Sequence, residues 1–221
     1  QLLLRGKPDR HQRGAGASSR PDAGYTIEEH AADMAGVLRT LGCGPAHLVG
    51  SSTGGAIAQV MALDHPDVVR SVTIMGSWAA PDDFFRHQFE TRKAILRQAG
   101  LRVYAEASAL FLFSPQYFRD RYPQVREYCD LGASSASDLD IMVKRIDMIL
   151  NADQKARLGG IRHPALIIVG RHDTCTPPYF SEELARLIQG AESTVLEGGH
   201  LVYFEDPEGF YRTVAEFLRR H

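Results

Sequence analysis

Three residues of this sequence are of the types that together turn a hydroxyl group into a nucleophile: Ser52, Asp173 and His200. A serine hydroxyl reacts poorly until a base removes its proton. Histidine can be that base because its pKa lies near neutrality. An aspartate can hold the imidazole in the required tautomer and stabilise its cation. If the fold brings the three together, they predict attack of a serine oxygen on a carbonyl carbon.

Ser52 lies in a context that is typical of an exposed nucleophile. It is the central residue of the pattern G-x-S-x-G at 50–54, which follows an apolar run at 46–49 and precedes a segment with helical spacing at 55–63. Strand, motif and helix in this order predict a sharp turn that presents the hydroxyl above the end of a sheet. The N–H of Thr53 would open the helix and could stabilise an oxyanion.

Asp173 and His200 each follow a predicted strand. Residues 165–169 are continuously apolar, as in a parallel sheet buried on both faces, and residues 192–197 predict a further strand. Sites in open α/β sheets form at the carboxyl edge of the strands, so we expect both side chains near the predicted nucleophile. Two plainer interpretations stay open, with Asp173 as a loop N-cap and His200 as a turn residue. Asp153 is a poorer candidate for the acid because no strand precedes it.

The surrounding elements predict an α/β fold with a mostly parallel sheet flanked by helices. Strand and helix signals occupy residues 1–80 and 154–221, which we assign to one core domain. Residues 81–153 have helical patterning instead and predict an inserted helical cap over the site. Four helices are expected in it: Asp82–Gln98, Val103–Phe113, Pro115–Tyr128 and Ser137–Leu150. The apolar segment 110–113 is either core beneath these helices or the ceiling of an apolar pocket.

The first 24 residues are the least regular part of the chain. Residues 1–4 could be a strand remnant, and the glycine-rich stretch at 13–18 predicts a flexible loop. As a phosphate cradle this loop is a weak candidate, because no Lys-Ser/Thr pair follows it. A helix is predicted next, at 25–41. Thr26 at its N-cap and Glu29 three residues later form a predicted capping box.

Composition excludes several classes of protein. Of the 221 residues, 44% are hydrophobic and 24% are charged, as in globular proteins, and the net charge of −2 offers no electrostatic attraction to nucleic acid or an anionic membrane. No apolar run approaches the roughly 20 residues that span a bilayer. Cys43, Cys129 and Cys175 are few and widely spaced, so we expect no disulfide framework and a cytoplasmic location. The spacing of His, Cys, Asp and Glu suggests no metal site.

The ordered motifs resemble those of the α/β-hydrolase superfamily. Residues 50–54 (G-x-S-x-G), 170–173 (G-x-x-D) and 199–200 (G-H) match that family's nucleophile, acid and base motifs in the family's order. Residues 13–18 (R-G-x-G-x-S) match the loop that follows the fourth strand in many members. The resemblance covers about residues 13–221 and implies the fold and a catalytic triad.

Within the superfamily, the predicted cap is similar to that of 3-oxoadipate enol-lactonases and of the aminoacrylate hydrolase of pyrimidine breakdown. The residues that carry this similarity are Arg92-Lys93-Ala94-Ile95-Leu96, Ala109-Leu110-Phe111-Leu112-Phe113, Tyr117-Phe118 and Arg145-Ile146. The similarity suggests a small substrate of the ester or lactone kind.

The start of the chain departs from the family pattern. Members usually carry further strands before the loop at 13–18, and one of them ends in a His-Gly step whose loop gives a second oxyanion donor. Residues 2–6 are Leu-Leu-Leu-Arg-Gly, with Arg5 in place of that His, and the loop follows too soon. We therefore expect an N-terminally incomplete chain with an unpaired edge on the strand before Ser52. Such an edge favours poor solubility or pairing with a second copy, that is, a possible homodimer.

Our functional hypothesis is a serine hydrolase that cleaves a small carboxylic ester or lactone through an acyl-enzyme, with no cofactor. The expected partners are the small-molecule substrate and, in the possible homodimer, a second copy of the chain. Trp78 and Leu201 are expected to line the pocket, although Trp78 could equally belong to the core. The same triad would serve carbon–carbon bond hydrolysis or cofactor-free haloperoxidation. A non-catalytic ligand-binding protein of this fold is the alternative from another class. Haloalkane and epoxide chemistry is disfavoured, because the motif carries Ser rather than Asp.

Overall fold

The structure is a computed structural model that describes residues 12–134 and 138–221, so the expected strand remnant at 1–4 and Arg5 lie outside the described residues. The elements are α1 (Ile27–Leu41), β1 (Ala46–Ser51), α2 (Thr53–Asp64), β2 (Val69–Met75), α3 (Asp83–Leu112), α4 (Pro115–Asp120), α5 (Tyr122–Ser134), α6 (Leu139–Asn151), β3 (Ala165–Gly170), α7 (Pro178–Leu187), β4 (Glu192–Leu196), α8 (Val202–Glu205) and α9 (Pro207–Arg220). Short 3₁₀ helices at Pro66–Val68 and Lys155–Gly160 precede β2 and β3. Within these ranges, no helix combines the length and the apolar character that a membrane span requires.

The described strands form one parallel sheet in the spatial order β1-β2-β3-β4. The register places Ser51 of β1 opposite Met75 of β2, and Met75 opposite Ile168 of β3. Gly170, the last residue of β3, lies opposite the last residue of β4. The four carboxyl ends therefore share one edge, and the segments that follow the strands meet there. This confirms the predicted α/β fold with a parallel sheet.

Both faces of the sheet are covered by helices. On one face, Ile74 and Ile167 belong to a large core that includes apolar side chains of α1, α2 and α7. On the other face, Ile168 packs with Phe217 and other apolar residues of α9. Alternate residues of each strand point to opposite faces, so a strand that is covered on both sides must be apolar throughout. Every residue of β3 is buried, which accounts for its continuous apolar run.

The helices between β2 and β3 differ from the predicted ones in two places. The first two predicted helices form the single stretch α3, which is kinked at Gly100, where φ is 79° and ψ is −179°. The third predicted helix is divided at Arg121, so that α4 precedes it and α5 follows it. Gly100 allows the kink because glycine accepts a positive φ without steric cost. Periodicity alone could not distinguish a kinked helix from two helices.

The loop at 13–18 is held to α1 by Arg13. Its Nε and Nη2 donate to the two carboxylate oxygens of Asp33 over 2.6 and 2.7 Å, and its Nη1 donates to the carbonyl oxygen of Gly24 over 2.8 Å. Bidentate pairs of this kind are geometrically specific and stronger than neutral hydrogen bonds. The guanidinium is therefore engaged in anchoring the loop to the first helix.

The first helix, α1, begins and ends as predicted. Thr26 Oγ1 accepts the N–H of Glu29 over 3.1 Å, and the Glu29 carboxylate accepts the N–H of Thr26 over 3.2 Å, which is the predicted capping box. Gly42 ends the helix with φ of 60°, the left-handed cap that favours glycine. The helix packs against α2, which carries the predicted nucleophile at its N-terminus.

Candidate active site

Ser52 occupies the turn between β1 and α2 in a strained backbone conformation. With φ of 54° and ψ of −120°, it is the one non-glycine residue with positive φ in the described ranges. Its N–H donates to the carbonyl oxygen of Met75 on β2 over 2.8 Å, and its own carbonyl oxygen accepts the N–H of Gly55 over 2.8 Å. Such strain persists only where the surrounding structure enforces it, and it is typical of functional sites.

Glycines on either side of the turn allow strand and helix to approach closely, as the motif predicted. A Cβ atom at Gly50 would collide with the backbone of Gly54, and one at Gly55 would lie 2.7 Å from Ser77 Cβ. Because α2 begins at Thr53, the N–H groups of Thr53 and Gly54 belong to its first turn, where N–H groups have no partner within the helix. These donors, at the positive end of the helix dipole, are suited to stabilise an oxyanion.

The other two predicted residues meet at the same edge of the sheet. His200 Nδ1 lies 2.8 Å from Asp173 Oδ2, and the two side chains are 1% and 0% exposed. Asp173 Oδ1 accepts the backbone N–H groups of Cys175 and Thr176, each over 2.8 Å, and Oδ2 also accepts the Thr176 hydroxyl over 2.9 Å. We assign the ring proton to Nδ1, because that atom faces a carboxylate acceptor. Nε2 then carries the lone pair; it is buried and has no hydrogen-bond partner within the described residues.

Gly76, just beyond β2, packs directly against this pair. Its φ is 52°, and a Cβ atom there would lie 3.0 Å from His200 Nδ1 and 3.2 Å from Asp173 Oδ2. Its N–H donates to the carbonyl oxygen of Ile168 over 3.0 Å, which fixes the backbone at the end of β2. Both the conformation and the space therefore require glycine at this position.

Replacing Gly76 with alanine is expected to impair both stability and turnover. The left-handed conformation costs an alanine about 1–2 kcal/mol, and displacement of the imidazole should lower kcat by at least about 10-fold. Gly36→Ala is the matched control, because Gly36 is an exposed helical residue with free space around it and alanine is favoured there by roughly 1 kcal/mol. Thermal melting and ester turnover of the two variants check this; equal turnover would contradict the close packing of Gly76.

A cavity of about 830 Å³ lies over this edge of the sheet. Its wall includes Ser52, His200 and the first turn of α2, and of the predicted contact residues it includes Thr53 and Leu201. Leu201 is 5% exposed and follows the predicted base directly. Within the described residues, no cluster of three or more His, Cys, Asp or Glu side chains could hold a metal ion.

Trp78 lies in the core and is not part of the described cavity wall, which favours the core role over the pocket role of the two that the sequence left open. Its side chain is 1% exposed, and its ring packs 4.7 Å from the ring of Phe85. The indole Nε1 donates to the carbonyl oxygen of Ala152 over 3.3 Å. A buried tryptophan whose N–H has a partner is a favourable core residue. Proximity in sequence to the end of β2 did not determine the direction of its side chain.

Arg92 of α3 is a buried cation on the cavity wall and is 6% exposed. Among the described residues, its guanidinium donates to neutral groups: Nε to Ser108 Oγ over 3.2 Å, Nη2 to the Tyr104 hydroxyl over 3.4 Å and Nη1 to Cys175 Sγ over 3.8 Å. It also lies 4.6 Å from the centre of the Phe89 ring. No ion pair of Arg92 occurs within the described residues. Since a buried charge without a counter-ion is costly, a bound anion would stabilise this site.

Arg145 of α6 is a second guanidinium on the same wall. Burial lowers the pKa of Arg145, and the described part of the chain provides it with neither a hydrogen bond nor an ion pair. Asp33, a carboxylate on this wall, is already paired with Arg13. The cavity therefore carries an excess of positive charge. Much of the remaining wall is apolar: Met34, Leu38, Ile57, Met61, Leu112 and Ile149.

Several of these contacts were absent from the sequence prediction. Thr176 lies three residues after Asp173, a spacing at which an aspartate commonly accepts hydrogen bonds from the following turn, and this signal was available. Gly76 follows a strand, yet nothing in the sequence indicated that Asp173 and His200 pack against it. Arg92 and Arg145 are named from the sequence only as part of a resemblance. An available signal was their position among apolar residues of predicted helices, because an arginine at such a position indicates a buried charge.

The chain belongs to the family of the α/β hydrolase fold, and it is a hydrolase of that fold. A sequence model of this family matches residues 11–207, and solved structures with the same fold cover most of the chain. The sheet order and the turn at Ser52 described above are consistent with this assignment.

Similar proteins include hydrolases with different named activities. A RutD protein of Azorhizobium caulinodans, which carries the name of a carbamate hydrolase, is 34% identical over 205 residues, or 92% of this chain and 77% of the relative. The enol-lactonase of Burkholderia xenovorans has a TM-score of 0.86 at 28% identity, covering 94% of this chain and 78% of that one. A thermophilic esterase of Thermogutta terrifontis has a TM-score of 0.83 at 25% identity, covering 95% and 78%.

Proposed function

We propose that this chain is a serine hydrolase that cleaves a small carboxylic ester or lactone bearing a carboxylate group. The observation that carries the proposal is the position of Ser52, in a strained turn, at the same sheet edge as the buried pair of Asp173 and His200. Ser52 and His200 both line one cavity of about 830 Å³, a suitable volume for a small substrate.

In the first half of the reaction, His200 Nε2 takes the proton of Ser52 Oγ as that oxygen attacks the substrate carbonyl carbon. Negative charge develops on the carbonyl oxygen and is stabilised by the N–H of Thr53 at the start of α2. The bond from carbon to the leaving oxygen then breaks, and the imidazolium returns its proton to that oxygen. In a lactone, the leaving hydroxyl stays tethered to the acyl group.

In the second half, water takes the place of the alcohol. His200 Nε2 accepts a proton from water as the hydroxide oxygen attacks the acyl carbon, and the bond from that carbon to Ser52 Oγ breaks with return of the proton to Oγ. Asp173 keeps Nδ1 protonated throughout and stabilises the transient cation. Water is the only co-reactant of this cycle, so we propose no cofactor. Free Cys43, Cys129 and Cys175 support a reducing, cytoplasmic location.

A carboxylate on the substrate is proposed because of the two arginines. Arg92 and Arg145 face the cavity without a carboxylate of their own within the described residues, and guanidinium groups recognise carboxylates through paired hydrogen bonds. They come from α3 and α6, both within residues 81–153. This supports our proposal that these residues form a cap that determines substrate preference.

A carbamate is the second candidate substrate, because the relative from Azorhizobium caulinodans has the name of a carbamate hydrolase at 34% identity. The same residues would act on it, since a carbamate also presents a carbonyl carbon to Ser52. Relative turnover of an ester, a lactone and a carbamate of matched size distinguishes the two candidates. If the protein turned over the carbamate but neither the ester nor the lactone, a carbamate would replace the ester or lactone as the proposed substrate.

The charge preference gives a specific prediction. The wild type should hydrolyse the p-nitrophenyl monoester of glutaric acid with a higher kcat/KM than neutral p-nitrophenyl butyrate. Arg92→Met or Arg145→Met should weaken binding of the charged ester by about 10-fold, because a hydrogen bond to a charged group contributes roughly 1.5–3 kcal/mol. The neutral ester should be little affected.

Arg97→Met is the matched control, since Arg97 is an exposed residue of the same helix as Arg92 and its loss removes the same charge. It should leave the preference for the charged ester intact. If the Arg92 and Arg145 variants kept the wild-type ratio between the two esters, the substrate would not be held by these arginines.

A further inference from the structure

The turn that carries His200 is bound to segment 112–114, which connects α3 to α4. Leu201 N–H donates to the carbonyl oxygen of Leu112 over 3.0 Å. Gly199 packs so closely on the junction that a Cβ atom there would lie 2.6 Å from Ser114 N. On its other side, a Cβ atom at Gly170 would collide with the carbonyl oxygen of Gly199. The turn is therefore enclosed between the end of β3 and segment 112–114, which comes from a distant part of the sequence.

Glu205 supplies the ionised group of this junction. It is the last residue of α8, the short helix that follows the turn. Its Oε1 accepts the backbone N–H of Ser114 over 2.8 Å, and its Oε2 accepts the Ser114 hydroxyl over 2.5 Å, so one carboxylate holds both donors of a residue 91 positions away. Ser114 is 2% exposed and is the N-cap of α4, where its Oγ accepts the N–H of Tyr117 over 3.1 Å.

This carboxylate has no cation beside it among the described residues, so its charge is satisfied by the two Ser114 donors. Hydrogen bonds to an ionised acceptor are roughly twice as strong as neutral ones. Without the carboxylate, the buried N–H of Ser114 would lose its acceptor, and a buried donor without an acceptor is destabilising. Segment 112–114 and the His200 turn would then be joined by the Leu201 hydrogen bond and by the apolar cluster to which Phe113 and Leu201 both belong.

We propose that Glu205 is a positioning residue, whose carboxylate fixes the His200 turn to Ser114 and thereby sets the position of the imidazole relative to Ser52. Leu112 and Leu201, which this junction joins, both line the cavity. Glu205 thus links the cavity wall to the turn that carries the base of the reaction. The inference rests on the proposed function, since it assigns Glu205 an effect on the step that His200 performs.

The test compares Glu205→Met, which keeps the length of the side chain but offers no hydrogen-bond acceptor, with Glu205→Gln, which keeps one acceptor and whose amide can donate to Ser114 Oγ. Glu208→Met is the matched control, because Glu208 is 91% exposed on the adjacent helix α9. Active sites are counted by the amount of protein that a fluorophosphonate labels, so that turnover is expressed per competent site and loss of folded protein is separated from loss of rate.

We expect Glu205→Met to lower kcat per labelled site by about 10-fold with little change in KM, since small displacements of a catalytic group cost at least that much. Glu205→Gln should recover most of the rate, and Glu208→Met should equal the wild type. A wild-type rate per labelled site in Glu205→Met would overturn the proposal, as would equal losses in the Met and Gln variants. Failure of the wild type to label at Ser52 would instead overturn the proposed function, and this inference with it.

Discussion

Replacing Ser52 with alanine is expected to lower ester turnover by roughly 10⁴-fold or more, because no other oxygen can take the place of the attacking one. The residual rate would come from oxyanion stabilisation and substrate binding alone. The variant should remain folded, since alanine fills no more space than serine and has the same backbone restriction at φ of 54°. Turnover of the charged ester and thermal melting measure the two effects separately.

Ser51 provides the control, because it precedes Ser52 directly and lines the same cavity. Tyr203, whose pKa is raised by burial, lines this cavity as well. Ser51→Ala should therefore change the pocket wall while leaving the nucleophile in place, with a small effect on kcat. A loss in Ser51→Ala that matched the loss in Ser52→Ala would mean that the nucleophile had been assigned to the wrong serine.

Asp173→Asn is expected to lower kcat by about 10⁴-fold through the tautomer of His200. Asp173 Oδ1 accepts two backbone N–H groups, from Cys175 and Thr176, so the amide oxygen of an asparagine would keep that position. The amide nitrogen would then face His200 Nδ1 and donate to it. The ring proton would move to Nε2, which could no longer accept the proton of Ser52. Geometry and burial would be nearly unchanged, so the loss is predicted for kcat rather than for folding.

Asp153→Asn tests whether the orienting carboxylate is that of Asp173 rather than that of Asp153. Asp153 is exposed, and its carboxylate accepts the N–H of Lys155 over 3.0 Å. This hydrogen bond is a local cap and involves neither Asp173 nor His200. This variant should keep wild-type turnover. If Asp153→Asn and Asp173→Asn had similar kcat values, the carboxylate beside His200 would not be the group that orients the imidazole.

The parts of the site that the sequence predicted are those that local patterns determine. Gly50 of the G-x-S-x-G motif is required because strand and helix nearly touch there, so the motif indicates the close packing beside Ser52. Asp173 and His200 each follow a predicted strand, and parallel strands bring their carboxyl ends to one edge whatever their separation in sequence. The capping box of Thr26 and Glu29 is likewise a contact over three residues.

The parts that the sequence did not predict depend on contacts between distant segments. The direction of the Trp78 side chain is set by Phe85 and by the carbonyl group of Ala152, which no local pattern encodes. The kink at Gly100 joins two helical stretches that periodicity alone predicts as two separate helices. The contact of Ser114 with Glu205 joins residues that are 91 positions apart, and each of them alone is unremarkable in sequence.

The most direct measurement is covalent labelling of the wild-type chain with an activated fluorophosphonate, followed by digestion and mass spectrometry of the modified peptide. We predict one adduct per chain, on Ser52, with labelling lost in Ser52→Ala and slowed in His200→Ala, because the serine is activated by the imidazole. An adduct on Ser51 or on another residue, or labelling of Ser52→Ala at the wild-type rate, would contradict the account of this chain as a serine hydrolase that acts through Ser52.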